Sequence, residues 1–118
     1  MLDFLLLIIA IALFTIFAPF GILFVIIHSL LGKKNPLKYI SSVILRIAVS
    51  IDQLGNTVCG DLLNAIMVKE VVYPFGNEDD TVSACLYFNR NNLSKLGQSV
   101  YNLLEWINPG HCYNASLK

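Results

Sequence analysis

Charge is what this chain has least of. Only 14% of its 118 residues are Asp, Glu, Lys or Arg, against about a quarter in ordinary soluble domains. The shortage is concentrated: no charged side chain stands between Asp3 and Lys33. Basic runs are also lacking. The formal net charge is zero, which leaves no electrostatic footprint for nucleic acid, and we expect no nucleic-acid partner. The 3 cysteines, Cys59, Cys85 and Cys112, lie far apart with no C-x-x-C pair, so neither a zinc ribbon nor a disulfide framework is indicated. A G-x-S-x-G nucleophile elbow, the EF-hand spacing, internal repeats and low-complexity tracts are missing too.

What fills the gap is the run FLLLIIAIALFTIFAPFGILFVIIHSLLG, residues 4–32. It exceeds the roughly 18 apolar residues that mark a transmembrane helix, and as a helix reaches roughly 40 Å against a hydrocarbon core of about 30 Å. Pro19, before Phe20 and Gly21, is the expected kink site. A hairpin turning there would leave halves too short to cross separately. A cleavable signal peptide fits poorly, because the run is longer than an h-region and no basic residue precedes it. We therefore expect an anchor over residues 1–32 and a domain over 33–118. Lys33, Lys34, Lys38 and Arg46 follow the span and only Asp3 precedes it. The positive-inside rule then puts the amino terminus outside and the domain in the cytoplasm, where the thiols stay reduced.

The remainder predicts helices. Asn35 and Pro36 suit a helix start. Ile40, Val43, Ile44, Ile47, Ala48, Ile51 and Leu54 form an apolar stripe opposite Ser42, Arg46, Ser50 and Gln53, with Gly55 or Asn56 as its stop. That stripe is expected to lie in the headgroup zone or pack on other helices. A second, shorter helix is expected over TVCGDLLNAIMVKEVV, then a loop through Pro74 and Gly76-Asn77. Another helix follows the acids Glu78, Asp79 and Asp80, and a last one carries Leu93, Leu96, Val100, Leu103, Leu104 and Ile107 to a stop at Pro109-Gly110. The predicted class is all-α: one transmembrane helix followed by a small bundle of three to four short amphipathic helices.

Candidate chemistry is sparse. Asp52 is either a base or ligand, or a surface acid linked to Arg46. Asp79 and Asp80 offer hard oxygens to a metal ion, or simply cap the helix that follows. Ser83 is a nucleophile without its usual context. His111 and Cys112 are candidate zinc ligands or a catalytic pair, though adjacent side chains point apart. Alternatively His111 meets the carbonyls ending the last helix while Cys112 packs as a small apolar side chain. No cofactor is expected.

Three short words nevertheless stand together: Ile51, Asp52, Gln53 and Asn56; Asp79, Asp80, Thr81, Val82 and Ser83; and His111 with Cys112. In this order, over residues 43 to 112, the chain resembles a group of small proteins of tailed bacteriophages and prophages. Those read I-D-Q-x-x-N, then D-E-T-[IV]-S, then a closing His-Cys. This chain departs in having Asp80 for the usual Glu, in lacking an Arg shortly after the Ser, and in its long apolar run. The resemblance implies a phage source; with the apolar run and the lysine count, the expected location is the bacterial inner membrane. The resemblance also implies that Asp52, Asp80, Thr81, Ser83, His111 and Cys112 form one cluster. The expected role is an accessory one, acting by binding the lipid bilayer or a host or phage membrane protein in host-membrane modulation, superinfection exclusion or lysis assistance. A small membrane-bound hydrolase or metal-dependent enzyme built on Asp52, Asp80, His111 and Cys112 is the rival expectation, and homo-oligomerisation is a third.

Overall fold

The structure, a computed structural model, describes residues 1–32 and 34–117. Lys33, one of the residues in the orientation argument, lies outside the described residues. As predicted, the class is all-α, with a long apolar first helix and a small helical bundle. The helices are α1 (Leu2–Gly32), α2 (Pro36–Ile66), α3 (Val82–Phe88), α4 (Lys95–Ile107) and α5 (His111–Ser116). A single antiparallel bridge, Val68 to Leu93, is the extended pairing among the described residues. The chain divides into two compact units, Met1–Leu45 and Arg46–Lys118.

In the first unit, α1 runs unbroken through Pro19, with Asp3 in its first turn where the helix dipole favours an acid. Its most apolar 18-residue window has a mean hydropathy of 2.7, so α1 is long and apolar enough to cross a membrane. Its side chains are exposed almost throughout, Ser29 being the buried one. The start of α2 follows the expected chemistry: Asn35 Oδ1 accepts the Lys38 N–H at 3.2 Å, and Pro36 takes the first helical position.

One expectation for α2 is corrected. The stop at Gly55 or Asn56 does not occur; the two predicted helices are one, ending at Ile66. Glycine inside a helix costs only about 1 kcal/mol, and the Asn56 side chain bonds to a distant loop instead of turning its own backbone. Of the two placements expected for the apolar stripe, packing on the other helices is not the one found. In the second unit Ile47, Ile51, Leu54 and Val58 are exposed, while Asn56, Gly60 and Leu63 are buried. What crosses α2 there is the backbone of residues 74–80, and its N–H and C=O groups need polar partners. Glycine makes the approach possible: a Cβ on Gly60 would stand 2.5 Å from Gly76 Cα, and Gly76 itself has φ +113°.

The core of this unit is Leu63, Val68, Phe75, Cys85, Leu86 and Leu93, with Val100, Tyr101 and Leu104 of α4 packed against it. Thr81 caps α3 by accepting the Ala84 N–H at 3.0 Å, and Ser94 caps α4 by accepting the Gly97 N–H at 3.1 Å. Ser94 also donates to the Ile66 carbonyl at 2.6 Å, tying the start of α4 to the end of α2. A further correction concerns the stop at Pro109-Gly110. It ends α4 as expected, but α5 follows it. Gly110 takes a left-handed φ of 82°, and Glu105 supplies the cap, accepting the Gly110 N–H at 2.7 Å and the Cys112 N–H at 3.2 Å.

Candidate functional site

Asp52, Ser83 and His111 meet in one hydrogen-bonded chain, although 31 and 28 residues separate their links in sequence. Asp52 does not lie near a helix end but within α2, and its carboxylate is spent on α3. Oδ1 accepts the Val82 N–H at 2.7 Å and Oδ2 accepts the Ser83 hydroxyl proton at 2.9 Å. An acid at the first turn of α3 is where the dipole favours one, and here another helix supplies it. Ser83 Oγ stands 3.1 Å from His111 Nε2. A serine hydroxyl has one proton. Since Asp52 takes it, Nε2 carries its own hydrogen and donates to Ser83. The expectation that His111 serves the carbonyls ending α4 is thereby corrected: its ring turns to α3, because α5 presses most extensively on that helix.

Asn56, one turn beyond Asp52, holds the loop before α3. Its Nδ2 donates to the Asn77 and Asp80 carbonyls, both at 3.0 Å, and its Oδ1 accepts the Gly76 N–H at 3.1 Å. Gln53 donates to the Asp79 carbonyl at 3.2 Å. The first word of the motif is therefore a clamp upon the second.

Asp80 takes a different part from the one expected. Its Oδ2 accepts the Tyr73 hydroxyl at 2.7 Å, and that bond raises the Tyr73 pKa above its ordinary value. Thr81 acts as the cap, and Asp79 remains exposed. Cys112 is buried as a small apolar side chain. Burial, together with the Glu105 carboxylate, pushes its thiol up to about 12. Burial and the nearby Asp80 charge likewise push Cys85 to about 12. Both thiols therefore stay protonated near neutrality, which withholds the thiolate that nucleophilic attack requires. Among the described residues no three His, Cys, Asp or Glu side chains are grouped to hold a metal ion, so Asp79, Asp80 and His111 are not joined in such a site.

The chemistry this arrangement offers is that of a lock. Ser83 is only 2% exposed, and among the described residues every buried side-chain nitrogen or oxygen has a hydrogen-bond partner. Two contributors escape a reading of the sequence. Glu105 looks like a solvent-face acid, and the two backbone N–H bonds that hold its pKa below the ordinary carboxylate value depend on a turn not evident from spacing. Asn89, fully buried, accepts the Val72 and Tyr73 N–H groups and donates to the Tyr73 and Cys85 carbonyls. An asparagine directly after CLYF was the available signal. No family model, curated protein or solved structure matches the chain.

Proposed function

We propose that this is a phage-type, single-span protein of the bacterial inner membrane, with its amino terminus outside and a cytoplasmic helical domain that works by binding. Host-membrane modulation, superinfection exclusion and lysis assistance are the roles that suit such an accessory protein. The observation that carries the reading is where the polar chemistry goes. Asp52 and Ser83 are bonded into the fold and two of the three thiols are buried, while apolar side chains of α2 and Trp106 of α4 face outward. A surface of that kind offers contact area and little reactivity. α1 supplies the support for an anchor, and the three motif words support the phage assignment.

The test is fractionation of the tagged full chain followed by pull-down from solubilised membranes. The reading expects carbonate-resistant membrane association, protease access to a carboxy-terminal tag only in inverted vesicles, and a specific binding partner. A soluble chain, a tag exposed on the outer side or no partner above background contradicts it.

A second reading is supported by one contact, the 2.9 Å bond from Ser83 Oγ to Asp52 with His111 Nε2 3.1 Å away. Asp52 would accept the Ser83 proton as Oγ adds to an acyl carbon and the carbonyl π pair moves to its oxygen, with His111 hydrogen-bonded to Oγ. As the adduct collapses, the leaving group would depart with that proton, leaving an acyl-Ser83 for water to hydrolyse. This serine-hydrolase reading requires the 2% exposed hydroxyl to open to substrate. Labelling of Ser83 by a fluorophosphonate, lost in Ser83→Ala, supports it; an unlabelled, folded chain rejects it.

A further inference from the structure

The longest stretch of uncompensated charge begins just after α1. From residue 4 to residue 51 there is no Asp or Glu, while Lys33, Lys34, Lys38 and Arg46 all fall in that stretch. Within the first unit, Lys34 and Lys38 line a cleft of about 320 Å³ together with Asn35, Tyr39 and Ser42. Asp3, the only Asp or Glu of that unit, stands at the opposite end of α1. The cleft therefore presents two ammonium groups with no carboxylate to neutralise them. Its other walls are already engaged with the protein. Asn35 Oδ1 accepts the Lys38 N–H at 3.2 Å, which leaves its Nδ2 as a donor. Ser42 spends its proton on the Tyr39 carbonyl at 2.7 Å. The Tyr39 ring meets His28 edge-on at 6.4 Å, and His28 stacks on Phe24 at 5.6 Å, so the cleft is joined to the last turns of α1. What it offers a ligand is donors and positive charge, the complement of phosphate oxygens.

Position selects the kind of phosphate. The 31 residues of α1 reach roughly 46 Å, close to the roughly 40–45 Å of a bilayer with its headgroups. A span beginning at Leu2 thus brings Lys34 to the level of the lipid phosphates. Leu31 and Leu37, which flank Lys34 in sequence, are 84% and 78% exposed. They give acyl chains an apolar surface while the ammonium groups stay among the headgroups. The cleft is at the small end of ligand sites, about 300–1,000 Å³, which suits a headgroup and not a whole lipid. A zwitterionic headgroup would bring its own ammonium towards two others; an anionic one would not.

We propose that the cleft of Lys34, Asn35, Lys38, Tyr39 and Ser42 binds the glycerophosphate headgroup of an anionic phospholipid, with Lys34 and Lys38 on the phosphate. The choice of a lipid as the source of that phosphate rests on the single-span reading. The charge and concavity of the cleft do not.

The experiment counts lipids on the full chain by native mass spectrometry, titrating detergent micelles with phosphatidylglycerol or phosphatidylcholine. Circular dichroism confirms the folding of each variant. The wild-type chain is expected to bind phosphatidylglycerol roughly tenfold more tightly, and Lys34→Gln with Lys38→Gln should bring that preference to within about twofold. Lys34→Arg with Lys38→Arg should keep it. Lys69→Gln with Lys95→Gln, which removes the same charge from the second unit, should leave it unchanged. No preference in the wild-type chain, or a preference that survives Lys34→Gln with Lys38→Gln, overturns the proposal. An equal loss in the Lys69 and Lys95 variant marks net charge alone and overturns it as well. Displacement of the lipid by inorganic phosphate at equal concentration assigns the cleft to free phosphate and overturns it too. A carbonate-resistant chain without the preference loses the site and keeps the anchor. A soluble chain with the preference keeps the site and sinks the anchor, so the two readings fail separately.

Discussion

The two faces of α2 carry the chemistry usually assigned the other way round. In the second unit the face turned to the domain is mostly polar and small, Asp52, Asn56, Gly60 and Asn64 with Leu63 reaching the core, and the face turned outward is Ile47, Ile51, Leu54 and Val58. The difference follows from what each face meets. The inward face meets backbone, the loop of residues 74–80 and the start of α3, whose N–H and C=O groups lose water and need replacements. Asn56, Asn64 and Asp52 provide them by side-chain hydrogen bonds. Apolarity thus fails as a guide to the inside wherever a helix packs on loop and not on another helix.

Breaking the polar face should cost most. Asn56→Leu keeps bulk and helix propensity but strands the Gly76 N–H and the Asn77 and Asp80 carbonyls. At about 1–3 kcal/mol for each buried unpaired group, tempered by water reaching the loop, a loss of roughly 3 kcal/mol is expected in denaturant unfolding. Ser83→Ala follows. It removes a donor from Asp52 and an acceptor from His111, and a loss of about 1–2 kcal/mol should appear in the same assay.

Thiol chemistry sharpens the contrast between inside and outside. Cys59 on α2 is exposed, while Cys85 and Cys112 are buried with pKa values near 12. Iodoacetamide at pH 8 should label Cys59 quickly in the native chain and the other two only after unfolding. The sign of the linkage follows. Both buried thiols bind their protons more tightly folded than at the ordinary value of 9.0, so stability is intact below pH 9 and falls as pH rises from 9 towards 12. Glu105 works in the opposite sense, since the Gly110 N–H bond lowers its pKa from 4.5. Its contribution is present above that value and fades as pH falls through the lowered one. Glu105→Gln should flatten the acid limb of the stability profile and fray α5. The smallest effect is expected at the outward face: Ile51→Gln should change the folding of the second unit by less than about 0.5 kcal/mol, as exposed substitutions do.

The sequence is most legible where local chemistry decides the outcome. The uncharged run names α1, Asn35 with Pro36 starts α2, and Pro109-Gly110 ends α4, because caps and breakers act within a few residues. It is least legible where a side chain serves a distant backbone. Asn56 reads as a helix stop, Asp52 as a surface acid and Glu105 as a solvent-face residue, yet each bonds a segment brought near only by the fold. The spacing does not foretell α5, whose cap comes from the preceding helix. Of the residues the three motif words mark, Asp52, Ser83 and His111 meet in one chain, while the Asp80 carboxylate turns to Tyr73, Thr81 caps α3 and Cys112 packs as a small apolar side chain.

Amide hydrogen exchange at Val82, whose N–H donates to Asp52, tests the central claim most directly when Asn56→Leu and Ile51→Gln are compared in the full chain. If α2 is held by its polar face, Asn56→Leu speeds exchange at Val82 by roughly a hundredfold, the equivalent of about 3 kcal/mol at 1.4 kcal/mol per tenfold. Ile51→Gln leaves it within about twofold. Faster exchange in Ile51→Gln than in Asn56→Leu would contradict the account, because the apolar face would then be the one holding the domain together.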